Sequence, residues 1–145
     1  RTQPIPGCEQ WLHMGGGADP MAVRDTARTA SSILWDGFDV WVHLAGHRVD
    51  VDTDRAALAQ LGEPVESDPP LLPPHRWSRR PAEALSVAPA IGGSFVAEIG
   101  VGVVHAERPD EPRLPDRRLL ELQRRVKLEL DPDGRLGPGR RPECR

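Results

Sequence analysis

Between Ser94 and Ala106 apolar residues recur at every second position. Phe95, Ala97, Ile99, Val101 and Val103 share one side of an extended chain, and His105 follows in phase. Such a strand has to bury one face, so the chain needs a sheet with a cover. Val40, Val42 and Leu44 alternate in the same way, with Trp41 and His43 on the reverse face. Asp36-Gly37 joins that run to Ile33-Leu34-Trp35 as a hairpin signal. Glu9 to Met14 reads as a further strand, ended by Gly15-Gly16-Gly17. Asp19 as cap and Pro20 at the first helical position open a helix over Met21 to Arg28. Arg48 to Leu61 reads as a second helix, with Val51, Leu58 and Leu61 on one side. Asp50, Asp52 and Asp54 crowd its first turns, where the helix dipole favours acids.

The order strand, helix, strand, strand, helix, strand predicts a ferredoxin-like antiparallel sheet with helices on one face, an α+β fold. A terminal helix spans Asp116 to Leu130, with Leu119, Leu122, Val126 and Leu130 in register along it. Pro132 stops it. Residues 63–93 read as a proline-rich insertion with extended stretches and one helical turn near Pro81 to Leu85. Residues 131–145 read as a loop and tail, and the whole chain as one domain.

A net charge of −3 without long basic blocks argues against nucleic acid. No apolar run is long enough to span a bilayer. Cys8 and Cys144 lie near opposite ends and read as free thiols, with a single disulfide between them as the alternative. The start at Arg1, without an initiator Met or signal segment, reads as an interior cut of a longer protein.

Several motifs fail on spacing. Gly100-Val101-Gly102 continues into a strand and reaches His105 where a dinucleotide fingerprint needs a third small residue. Asp50-x-Asp52-x-Asp54 has Arg55 and Leu61 where a calcium loop needs Gly and Glu. His43 and His47 lack the acid and the helix of a zinc motif, so no metal is expected. Two features keep a functional reading. Arg76 and Arg79, with Arg80 beside Trp77, form a candidate site for a carboxylate or phosphate. His105 follows Gly100 and Gly102, glycines that let a flat ligand approach the backbone or that mark a bulge.

Three stretches taken together resemble a known family. Asp131-Pro132-Asp133-Gly134-Arg135-Leu136-Gly137-Pro138-Gly139-Arg140 resembles the terminus of FAD-linked oxidases of the vanillyl-alcohol oxidase type. Leu34-Trp35-Asp36-Gly37 with Trp41-Val42-x-Leu44-x-Gly46-His47 looks like the cap region of the FAD-binding subunit of glycolate oxidase and its actinobacterial relatives. Phe95 to Ala106 looks like that group's glycine/histidine strand. Gly137 stands where the family carries Asn, and no FAD-phosphate-binding half is seen.

The resemblance implies a substrate-side cap domain, with FAD held mainly by the missing N-terminal domain. It implies oxidation of a small 2-hydroxy acid such as glycolate, with hydride passing to the flavin. His105, Gly102 and Arg140 are the implied flavin contacts, and Arg76 and Arg79 the substrate contacts; no catalytic residue is assigned. The implied partners are the FAD-binding domain of the parent chain and other oxidase subunits, an iron–sulfur subunit among them. The implied location is cytoplasmic or peripheral at the inner membrane, and the cap alone is expected to be inactive. The rival expectations are a non-enzymatic ferredoxin-like module for ligands or partners and a sugar or aldonolactone oxidase of the same superfamily.

Overall fold

A computed structural model describes residues 7–110 and 117–133, the side chains of 87–89 excepted. The chain divides into two compact units, Arg1–Asp110 and Glu111–Arg145. The first is a seven-stranded antiparallel sheet with helices, an α+β fold as the element order predicts.

Strand β1 (Cys8–Met14) leads to helix α1 (Pro20–Thr26), then to the hairpin of β2 (Ala30–Trp35) and β3 (Val40–Gly46), and to helix α2 (Arg48–Leu58). The Asp19 carboxylate accepts from Met21 N at 2.9 Å, so α1 begins on the residue the cap signal indicated. At the hairpin turn the Asp36 carboxylate accepts from Phe38 N and Asp39 N at 2.9 and 2.8 Å, which fixes the reversal locally.

The structure differs from the sequence expectation in the proline-rich insertion and in the strand that follows it. The insertion contains both edge strands of the sheet, β4 (Val65–Glu66) and β5 (His75–Ser78), before helix α3 (Pro81–Val87). The run read as one long strand is two, β6 (Phe95–Glu98) and β7 (Val103–Ala106), paired antiparallel. Gly100 and Gly102 take φ of +86° and +79° and turn the chain back. A tight turn of alternating glycine and valine keeps the two-residue period in sequence while reversing the strand in space. The face assignment therefore changes: Phe95 and Ala97 stay on the core side with Val104, while Val103 and His105 go to the other side.

The sheet order is β4-β1-β3-β2-β6-β7-β5. Its first four strands are the ferredoxin-like arrangement, and a two-residue β4 fills the place expected of the 94–106 run. Leu12, Met14, Val40, Val42 and Leu44 project to one face and are fully buried, together with Val23 of α1 and Val51 and Leu58 of α2. Each such side chain contributes about 1.5–3 kcal/mol through apolar burial.

Asp54 in α2 differs from the sequence expectation as well. It is not a dipole acid but a buried tie, accepting from Thr29 N at 2.6 Å and Thr29 Oγ1 at 2.7 Å. Two donors on one carboxylate make its burial tolerable and pin α2 to the entry of β2.

In the second unit, helix α4 (Arg117–Leu130) forms where the periodicity predicts it. Its stripe of Leu119, Leu122, Val126 and Leu130 is exposed.

Gly102 is the tightest of the described glycines. A Cβ there would run into the Arg79 carbonyl, whereas Gly16, with the same φ of +79°, has open space around it. Gly102→Ala is therefore expected to cost about 2–4 kcal/mol and Gly16→Ala about 1 kcal/mol, the difference being the clash. Urea denaturation of the two variants measures it.

Candidate functional site

The face of the sheet turned away from the helices carries the chain's conspicuous polar and aromatic chemistry. On its β1–β3 side, register places Trp11 against His43 and His13 against Trp41. Trp11 and His43 stack with ring centroids 4.7 Å apart, and His13 and Trp41 lie 5.0 Å apart. Asp39 Oδ2 is 3.0 Å from His13 Nε2. Ser31 Oγ lies 2.6 Å from His43 Nδ1, in the irregular step between Ala30 and Ser32 where β2 slips its register. Each imidazole thus has one nitrogen held by a neighbour and its ring held by an indole.

The sequence had placed Trp41 and His43 on this face but not their partners. The missed signal is the repeat of Trp-x-His at 11–13 and 41–43. Two such triplets on antiparallel neighbours interleave into alternating rings.

On the β7–β5 side, His105 is half-buried and sits opposite Arg76. Opposed residues on one face have Cβ atoms about 4.5–5.5 Å apart, so both side chains reach a common small ligand. Arg76 is exposed and makes no ion pair or hydrogen bond among the described residues. A guanidinium with open donors can hold a carboxylate, and the imidazole beside it can accept the proton of a hydroxyl on the adjacent carbon.

The other basic residues of the 76–80 run do not join them. Arg79 is nearly buried, at 6% side-chain exposure, and grips Asp110 through two bonds of 2.6 Å. Donating to the Asp110 carboxylate pushes the Arg79 pKa further above the ordinary arginine value. The guanidinium also lies 4.8 Å from the centre of the Trp77 ring, and Trp77 Nε1 donates to Arg108 O at 2.7 Å. Arg80 points to solvent near Glu83, 3.7 Å away. The cluster read as one anion site is therefore split: Arg76 faces the open side, and Arg79 locks the chain leaving β7.

Gly102 donates its freedom to that lock, since its carbonyl accepts from Arg79 N at 2.7 Å and its missing side chain leaves room for the Arg79 carbonyl. Arg140 and the run 134–140 lie outside the described residues. Among the described residues no three metal-ligating side chains converge, and no helix is long and apolar enough to cross a membrane.

Residues 73–140, a little under half of the chain, match the family described as FAD linked oxidases, C-terminal domain. The match contains both Arg76 and His105, and it supports a flavin-dependent oxidoreductase family for this stretch. The chain is also similar to a ribosomal RNA small subunit methyltransferase G of Clavibacter michiganensis, at 35% identity over 96 residues. That similarity covers 57% of this chain and 44% of the relative, so the chain spans less than half the relative's length. No solved structure matches the chain.

The split of the arginines has a measurable consequence. Asp110→Asn leaves the buried Arg79 charge poorly paired and is expected to destabilise the fold by about 2–4 kcal/mol. Arg76→Ala, at an exposed position, is expected to change stability by less than about 0.5 kcal/mol. Chemical denaturation followed by tryptophan fluorescence separates the two.

Proposed function

We propose that this chain is the substrate-side cap of an FAD-dependent oxidoreductase that oxidises a small 2-hydroxy acid such as glycolate. The observation that carries the reading is Arg76 opposite His105 on the open face, inside the stretch that matches the oxidase family. A 2-hydroxy acid presents a carboxylate and an adjacent hydroxyl. Arg76 holds the carboxylate through its paired donors, and His105 on the next strand accepts the hydroxyl proton.

FAD, when bound, supplies the acceptor for the hydride. The open face suits a flat ring system, with the half-buried side chains of His105, Trp41 and His43 presented toward it. No described turn offers a diphosphate cradle: the glycine turn at 100–102 closes on Arg79 instead. His105 is therefore the residue to meet the ring, and the phosphates belong to an FAD-binding domain of the parent polypeptide. Arg140 keeps a flavin contact only through the family resemblance. Further oxidase subunits, an iron–sulfur subunit among them, would take the electrons onward.

The likeness to a methyltransferase for ribosomal RNA suggests no second reading here. A net charge of −3 gives a phosphate backbone little to bind.

Two experiments test the proposal. The purified 145-residue chain is expected to be colourless, because the ring face alone holds FAD weakly; stoichiometric yellow flavin would refute that division of labour. In the parent flavoenzyme, Arg76→Ala is expected to raise the KM for glycolate about tenfold or more, with Arg76→Lys recovering part of the loss, since one well-made charged contact contributes about 1.5–3 kcal/mol. An unchanged KM would remove the carboxylate role.

A further inference from the structure

The connection between the two edge strands offers an inference that does not depend on the flavin reading. Strand β4 ends at Glu66 on one edge of the sheet and β5 starts at His75 on the opposite edge. Ser67 N still donates to Trp11 O at 3.2 Å, so the free span begins there. Six strand spacings of about 4.8 Å make the flat sheet about 29 Å wide.

The two anchors are also offset along the strands, Ser67 beside Trp11 and His75 beside Ala106. That offset is about five residues or 16 Å, so the flat diagonal is about 33 Å. Eight steps of polyproline II chain reach about 25 Å, and eight fully extended steps about 29 Å. The connection closes only if the sheet twists its two corners toward each other on the side the strap crosses.

The twist decides which side that is. The Trp11 carbonyl is turned toward β4, and the Ile33 carbonyl toward β6, where it accepts from Ile99 N. With strand directions fixed by the register, Trp11 faces away from the helices and Ile33 faces the core. The usual right-handed strand twist then lifts the Ser67 and His75 corners toward the Trp11 side, the open face. A path outside the helices would be longer still and beyond the strap's reach.

The strap itself fits this course. Ser67, Pro70 and Pro73 are partly buried while Asp68, Pro69, Leu71, Leu72 and Pro74 are exposed. That period of three is the period of polyproline II. Leu34, Val96 and Val103 lie on the open face and are nevertheless buried at 6, 5 and 4% exposure, as residues beneath a cover would be. The four prolines of 67–74 have no N–H, and no hydrogen bond from 69–74 to the sheet is found among the described residues. Packing alone holds the strap in place.

We propose that residues 67–74 form a displaceable strap that crosses the open face diagonally and covers it. Pro70 lies over the Trp41–Leu34 region and Pro73 over the Val96–His105 region. A ligand reaches the face only when the strap lifts, and because a strap of this length has no slack, lifting requires the two-residue strand β4 to leave the sheet edge.

The test uses the full chain with Cys8→Ser and Cys144→Ser. Pro73→Cys with Val96→Cys is expected to form an intramolecular disulfide under mild oxidation, and Pro73→Cys with Asp52→Cys, on exposed helix α2, is not. Failure of the first pair in a protein whose circular dichroism is unchanged would overturn the course proposed for the strap. Should that pair not fold, Pro70→Cys with Leu34→Cys asks the same question. The covering role is read from carbethoxylation of His105 by diethylpyrocarbonate, followed by peptide mass spectrometry. His105 is expected to react at least tenfold more slowly in the disulfide-locked protein than in the same protein reduced. Equal rates would show that the strap covers nothing of consequence.

Discussion

Gly102 lacks a side chain, and the geometry of three strands depends on that. Its left-handed backbone, together with that of Gly100, reverses the chain after Ile99, and its empty Cβ position admits the Arg79 carbonyl. Without the reversal, β6 and β7 would be one strand and His105 would share a face with Phe95. Without the close approach, β5 could not pair with β7, and Arg76 would not stand opposite His105. The Arg79–Asp110 grip then holds the outgoing chain against the same place. Backbone freedom at Gly100 and Gly102 sets up the candidate site, and the Arg79–Asp110 contact secures it.

The two polar clusters of the open face have different characters. The rings of Trp11, His43, His13 and Trp41 are committed to one another, and each histidine has a partner on one nitrogen. Arg76 and His105 are more loosely held. Three strand spacings, about 14 Å, separate β3 from β7 along the sheet, so one small acid cannot engage both clusters. If both serve one ligand, it is a long one, and a flavin ring beside its substrate has that extent.

Much of the first half was legible because short-range chemistry decides it. The Asp19 cap, the Asp36-Gly37 turn and the alternation of Val40, Val42 and Leu44 act within a few residues, and all three gave the observed structure. The second half was misread where local pattern and tertiary structure disagree. A Gly-x-Gly turn keeps strand-like alternation while reversing direction. A two-residue edge strand such as Val65–Glu66 is too short to carry a period. Asp54 looked like a dipole acid because its partner, Thr29, lies 25 residues away in sequence. The site was half legible: Arg76 and His105 stood out as chemistry, but their adjacency depends on pairing between residues 29 positions apart, which no local signal encodes.

The junction between β2 and β6 is brief. Two register pairs, Leu34 with Glu98 and Trp35 with Ala97, and one bond from Ile99 N to Ile33 O at 2.8 Å carry it. Trp35 and Phe95, edge to face at 5.6 Å, pack across it. Every other joint between long strands is a fuller ladder, so this seam is where the sheet yields first. The two halves it joins carry one polar cluster each. A change of angle at the seam would act like the spine of a book, altering the distance between the two pages without a rotamer change at either cluster, and the strap of residues 67–74, joining the outer edges, would limit how far they open.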